Sequence, residues 1–246
     1  MQKTIKGIAL ALLVLMLCPL TTLAEGSERY CWYAGLQGGL PFTMSTASSF
    51  GGDKTRLGWS AGVFAGKQFS DVFSAELQFK WARSSMSPRG CCASRDNWLG
   101  TDGCHYFVPV LNMDCLHYNA IMSKVFMQSY GVQLNISLLP LVSASPSRWT
   151  VQLSPGLSAY GSNASIHSIA DDSKFVDVPS KWNVGLSCNL NAGYALTPAF
   201  TLGVYTGVTF VTGDGIDGMP RYLHSANTVW DSGIRLTYNF KKGGKQ

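Results

Sequence analysis

The sequence predicts an all-β fold, an eight-stranded antiparallel up-and-down transmembrane β-barrel, on three observations. Eight segments alternate apolar and polar residues with period two, the signature of strands with unlike faces. The links between them alternate short and long, and aromatic residues gather at both ends of the apolar face.

The first 24 residues are set aside before the strands are placed. MQKTIKGIALALLVLMLCPLTTLA carries Lys3 and Lys6, then an apolar run, then small residues before Glu25, which is a secretory signal peptide. Cys18 is not read as a lipoprotein cysteine, because Leu17 stands where a small residue belongs. Residues 25–246 form the expected barrel domain. Only 13% of the 246 residues are charged, about half the usual globular share. Of 19 basic residues, two lie in the leader and three, Lys241, Lys242 and Lys245, in the tail, which leaves 14 against 14 acids. A neutral domain shows no nucleic-acid footprint, so no nucleic-acid partner is expected. After residue 24 no 18-residue apolar run exists to span as a helix. A closed barrel is the other way to cross lipid with every backbone group paired.

Strand one, near 30–42, sets Trp32, Ala34, Leu36 and Leu40 against Tyr33, Gly35, Gln37 and Gly39. Strand two, 57–69, sets Trp59, Ala61, Val63 and Ala65 against Ser60, Gly62 and Gly66. Strand three, 73–81, has the cleanest contrast: Phe73, Ala75, Leu77, Phe79 and Trp81 against Ser74, Glu76, Gln78 and Lys80. Strand four, 126–139, opposes Tyr130, Val132, Leu134 and Ile136 to Ser129, Gln133 and Asn135. Strand five, 149–160, opposes Trp149, Val151, Leu153 and Leu157 to Gln152, Ser154 and Ser158. Strand six, 181–196, opposes Trp182, Val184, Leu186 and Leu190 to Asn183, Ser187 and Asn191. Strand seven, 200–211, opposes Phe200, Leu202, Val204 and Val208 to Thr201, Gly203 and Tyr205. Strand eight, "DSGIRLTYNF" at 231–240, opposes Ile234, Leu236, Tyr238 and Phe240 to Arg235, Thr237 and Asn239.

Short links fall at 70–72, 142–147 and 197–199, and long ones at 43–56, 83–125, 161–180 and 212–228. That is the pattern of tight periplasmic turns and long outer loops. A secreted β-sandwich also alternates, but its strands are short, whereas these segments run 9 to 16 residues. Trp59, Trp81, Trp182 and Trp230 mark one girdle and Trp32 and Trp149 the other, at the depths where two membrane interfaces place amphipathic rings. The expected location is the cell outer membrane, with outer-membrane lipid as the first partner.

With "FSAELQFKW", "KWNVGLSCNLNAGYAL" and the final "GIRLTYNF" in place, the chain resembles the small Gram-negative outer-membrane β-barrel family, the outer membrane protein A-like and opacity-protein-like porins. The resemblance implies that the last strand carries an aromatic signal, Phe240 with Tyr238, read by the barrel-assembly machinery; here KKGGKQ follows it. It also implies that the peptidoglycan-binding domain of larger members is absent.

Chemistry is sparse. Cys91, Cys92, Cys104 and Cys115 share the longest loop, and an oxidising compartment favours disulfides. A bond between the vicinal pair is strained, which leaves 91–104 with 92–115, or 91–115 with 92–104. Zinc bound by these thiols with His105 and His117 lacks the usual C-x2-4-C spacing, so no metal is expected. No cofactor is expected either. "GDGIDG" at 213–218 offers Asp214 and Asp217 but too few oxygens for calcium. The sequons at Asn135 and Asn163 read as chance. His167, Ser168 and Asp171 spell a hydrolytic trio on paper, but residues so close in one loop seldom adopt that geometry, so no enzyme is expected. Parity points Glu76, Lys80 and Arg235 into the lumen at similar heights, where pairing would offset burial of charge.

The expected function is a structural and surface-interaction scaffold that displays a disulfide-linked loop to an unknown extracellular partner. The alternative is a small diffusion porin, which needs small residues at every level of so narrow an interior. A lipid-processing barrel enzyme ranks third.

Overall fold

The computed structural model describes residues 32–51, 54–90, 95–142, 147–213, 215–220 and 227–240. The signal-peptide segment, Cys91 and Cys92, and His224 lie outside these residues. Eight long strands close on themselves. They are β1 (Trp32–Met44), β3 (Trp59–Gln68), β4 (Phe73–Pro88), β8 (Ile121–Ser137), β9 (Trp149–Ser168), β10 (Lys174–Ala195), β11 (Phe200–Val211) and β12 (Asn227–Asn239). Each pairs antiparallel with the next, and β12 pairs with β1 from Tyr33↔Asn239 to Met44↔Thr228. Closure leaves no open edge, and the Phe240 N–H donates to the Trp32 carbonyl at the seam.

Among the described residues four short strands add to the eight long ones. β2 (Ala47–Ser48) joins the rim between β1 and β4. β5 (Trp98–Gly100), β6 (His105–Tyr106) and β7 (Cys115–His117) form a separate sheet in the order β6-β5-β7.

The lower wall follows the alternation. Leu36 (60% exposed), Val204 (59%) and Ile234 (63%) look outward, which only an apolar solvent stabilises. Gln37, Ser74, Glu76, Gln133, Asn135 and Arg235 are buried inside. Two residues break the pattern read from the sequence. Phe64 turns into the lumen, and Lys67 turns out at the turn-side end, with its Nζ 5.6 Å from the Trp32 ring centroid and 6.0 Å from that of Phe69.

The wall is taller than the sequence suggests on its loop side. β4 runs past 81 to Pro88, β8 begins at Ile121 rather than 126, β9 continues past 160 to Ser168, and β10 begins at Lys174 rather than 181. The expected loop at 161–180 is therefore a tip of five residues, 169–173, and the 83–125 loop is shorter at both ends. The cause is a swap of faces. Above the lipid many inward positions become apolar, with Met86, Ile121, Val125, Met127, Ala164 and Ile166 buried beside the inward Ser84, Ser123 and Ser162. The outward positions there become Arg83, Ser85, Lys124, Asn163, Ser165 and His167, facing water.

Candidate functional site

Two fillings occupy the barrel, one above the other. The lower one is ionic. Arg235 and Glu76 form a salt bridge with Glu76 fully buried, and the Arg235 guanidinium lies 3.5 Å from the centroid of the Phe64 ring. Asn135 donates to Glu76 Oε2 at 3.2 Å and to Tyr33 Oη at 2.9 Å. A second pair lies towards the loops: Lys80 Nζ to Asp231 Oδ2 at 2.6 Å. Asp231 also accepts from Ser60 Oγ at 2.9 Å and from Tyr205 Oη at 3.1 Å, and Lys80 stands 5.0 Å from the Tyr205 ring centroid. Glu76 thus meets Arg235, whereas Lys80 meets Asp231. The sequence reading set Asp231 and Tyr205 on the inward polar face without naming them as partners of Lys80, and it did not place Phe64. Between the fillings lies a cavity of ≈ 30 Å³ lined by Lys80, Ala82, Ser129, Tyr160, Asn189 and Asp231, among others. That volume admits water but not a solute.

The upper filling is apolar. Inward residues of the wall, among them Ala82, Met86, Val125, Met127, Ile166 and Val229, pack against Leu99, Tyr118, Ile216 and Met219 from the loops. The last outer loop is held there by Asp217, whose Oδ2 accepts the Ala47 N–H at 2.7 Å, whose Oδ1 accepts the Met219 N–H at 3.2 Å, and whose carbonyl accepts Ser123 Oγ at 2.5 Å. Burial among these apolar groups pushes the Asp217 carboxyl above the usual range, against the lowering effect of its hydrogen bonds. Gly218 (φ +74°) supplies the turn, and a Cβ there would meet Ala164 and Val178 below 3 Å. Ser45 Oγ donates to Asn227 at 2.7 Å, and Asn227 donates to the Gly213 carbonyl at 3.0 Å, so the first and last outer loops are tied together.

The cap's small sheet places Cys104 and Cys115 on opposite sides of Gly100, and both thiols are free. His105 Nε2 is 2.9 Å from Asn97 Oδ1, and His117 Nδ1 accepts the Asn119 N–H at 3.3 Å. Tyr106 Oη donates to Asp102 Oδ2 at 2.6 Å, which pushes its hydroxyl up to about 12. Beyond this sheet Phe107 (65% exposed), Val108 (68%) and Leu111 (91%) project into solvent.

Trp32, Trp59, Trp149, Trp182 and Trp230 stand exposed on the outer wall. Trp81 is half-buried, its ring 4.1 Å from that of Phe79, centroid to centroid. The Trp230 indole turns to the wall: its N–H donates to Thr206 at 2.8 Å and to Ser232 at 3.0 Å. Tyr238 and Phe240 pack edge to face at 5.1 Å at the turn-side rim.

The trio spelled by the sequence does not assemble. Ser168 Oγ accepts the Ala170 N–H at 3.3 Å, and Asp171 accepts from Ser173. A different set meets instead. Ser165 and His167 occupy successive outward positions of β9, with Ser165 Oγ 3.1 Å from His167 Nε2. His167 Nδ1 lies 2.9 Å from the Asp172 carbonyl oxygen and 3.4 Å from its Oδ1. Lys124 Nζ holds Asp172 Oδ2 at 2.6 Å, and that hydrogen bond keeps the Asp172 carboxyl below the usual range. The Ser-x-His spacing on one strand face was the available signal, hidden because 161–180 read as loop.

A closed ring of eight antiparallel strands with an apolar outer belt is the architecture of the small outer-membrane β-barrel proteins, and the belt places this one in the outer membrane. No protein-family model matches the sequence, and none of the curated proteins does. Among solved structures, the chain is similar to Neisserial surface protein A (14% identity, 87% of this chain and 100% of that one, TM-score 0.45). It is also similar to the attachment invasion locus protein Ail of Yersinia pestis (11%, 85% and 98%, TM-score 0.42) and to OprG of Pseudomonas aeruginosa (13%, 86% and 97%, TM-score 0.44).

Proposed function

We propose that the protein is a non-conducting surface scaffold: a barrel filled at two levels whose folded outer cap recognises a partner outside the cell. The filling carries this reading. A diffusion pore needs a water path at every level, whereas here the Glu76–Arg235 and Lys80–Asp231 pairs occupy the lower lumen and an apolar core the upper. The outward apolar side chains Phe107, Val108 and Leu111 supply the kind of uncharged exposed surface that marks a contact site.

The cap's thiols belong to the same reading. Cys104 and Cys115 stand two strand spacings apart, roughly 10 Å, beyond the reach of a bond to each other. Both thiols are free in the structure, and we infer that oxidation after export joins them to Cys91 and Cys92 rather than to each other; non-reducing peptide mapping tests it. Assembly through Tyr238 and Phe240 is part of this proposal, as is removal of residues 1–24 on export.

The test uses a double substitution, Phe107→Ser with Leu111→Ser, in the intact protein. The barrel should stay heat-modifiable on a gel while cell-surface adhesion conferred by the protein falls. Unchanged adhesion would sink the reading. Deleting 84–117 is too blunt a test, because it would remove Met86 and Leu99 from the upper core.

A further inference from the structure

We propose that the outer wall carries a serine hydrolase site at Ser165 and His167 that cleaves an ester of an outer-leaflet lipid. Both neighbours of His167 Nδ1 are acceptors, the carbonyl and the carboxylate of Asp172, so Nδ1 carries the proton. The Nε2 lone pair then faces Ser165 Oγ, which also lies 3.4 Å from the Lys124 carbonyl oxygen; with the hydroxyl proton turned to the closer Nε2, this is the arrangement that makes a hydroxyl nucleophilic. Asp172 is a positioning residue. It sits at φ +59°, a conformation unusual for a residue with a side chain, and Lys124 takes its Oδ2 so that Oδ1 turns to the imidazole. Asn163, the preceding outward position of β9, is exposed and offers amide N–H donors for an oxyanion.

Location selects the substrate. Ser165 lies four residues beyond Gly161, which pairs with the girdle residue Trp182, so it stands ~13 Å along the strand above that ring. Phe126, exposed, pairs with Asn163 directly below. The serine stands above the lipid, so an ester reaches it when the lipid is drawn up along the wall, where Phe126 offers the acyl chain an apolar contact. Arg83, next on the same row, is exposed, and its guanidinium has no partner among the described residues. It suits an anionic headgroup.

In the reaction Ser165 Oγ attacks the ester carbonyl carbon and passes its proton to His167 Nε2. The proton goes to the departing alkoxide as the carbon–oxygen bond breaks, leaving an acyl-serine. His167 then takes a proton from water, the hydroxide attacks the acyl carbon, and the proton returns to Ser165. The sum is ester plus water giving acid plus alcohol.

The test is fluorophosphonate labelling of the full-length barrel in detergent micelles, read by peptide mass, beside hydrolysis of p-nitrophenyl decanoate. Label should fall on Ser165, and Ser165→Ala should abolish both label and turnover. His167→Ala should lower turnover by about 10²–10⁴-fold, and Ser168→Ala should change neither. Heat-modifiable migration shows that each variant is folded. Absence of label on the folded wild-type protein, or equal turnover by Ser165→Ala, would overturn the site. Micellar decanoate should react faster than soluble p-nitrophenyl acetate, and equal rates would overturn the lipid assignment.

Discussion

Below Ala82 the barrel interior is filled with ions and amides, and above it with a largely apolar core threaded by hydrogen-bonded hydroxyls, although the same strands build both halves. The lower half presents leucine, valine and isoleucine to lipid and keeps Glu76, Arg235, Lys80 and Asp231 within. The upper half presents Arg83, Lys124 and Ser165 outward and keeps Met86, Val125 and Ile166 within. The solvent outside decides which residues the inside can use. Where lipid takes the apolar face, the narrow lumen receives the polar one and pairs its charges, although the Gln37 side-chain amide, Glu76 Oε1, Gln133 Oε1 and Asn135 Oδ1 have no hydrogen-bond partner among the described residues. Where water surrounds the wall, the ordinary rule of a soluble core returns and the loops can fold down onto it.

The sharpest way to break this comparison is to remove one partner from the lower half. Arg235→Ala leaves Glu76 buried without its counter-charge and should destabilise the barrel by about 3–5 kcal/mol in urea unfolding from lipid vesicles. Ile166→Ala deletes only apolar volume in the upper half and should cost about 2–5 kcal/mol, felt in the cap before the lipid-facing wall. Hydrogen exchange should rise at 215–219 while β1 and β12 stay protected. Were both variants to loosen the whole molecule equally, the two fillings would not be separate.

Asp217→Ala sharpens the contrast further, because it leaves the Ala47 N–H buried and unpaired, at about 1–3 kcal/mol. The pH dependence has a defined sign. The Asp217 carboxyl has a raised value in the folded cap, so the folded state holds its proton more tightly than the unfolded one. Cap stability is then fullest below the usual aspartate range and declines as pH rises through the raised value. Protection of 215–219 should weaken over that rise, and the decline should vanish in Asp217→Ala.

How far the sequence revealed these halves follows from the same inversion. Residues 73–81 and 231–240 alternate with apolar groups outward and are legible as strands. Residues 161–168 also alternate, but Asn163, Ser165 and His167 face water, and a search for an apolar outward face does not register them. The upper wall thus read as loop, and the Ser165–His167 pair was lost with it. Inward parity identified Glu76, Lys80 and Arg235, yet pairing depends on the register between β12 and its neighbours, which put Asp231 rather than Glu76 beside Lys80. Parity in strand two puts position 64 inward, but Phe64 is an apolar residue on the polar face, and period two does not anticipate an aromatic ring stacked on a lumen arginine.

The claim that the barrel is filled at two levels is tested most directly by planar-bilayer recording of the unmodified protein beside Glu76→Ala/Arg235→Ala. The account predicts no stable conductance from either, because the upper apolar core still closes a barrel whose lower network has been removed. Sizeable, stable conductance in the unmodified protein would contradict it.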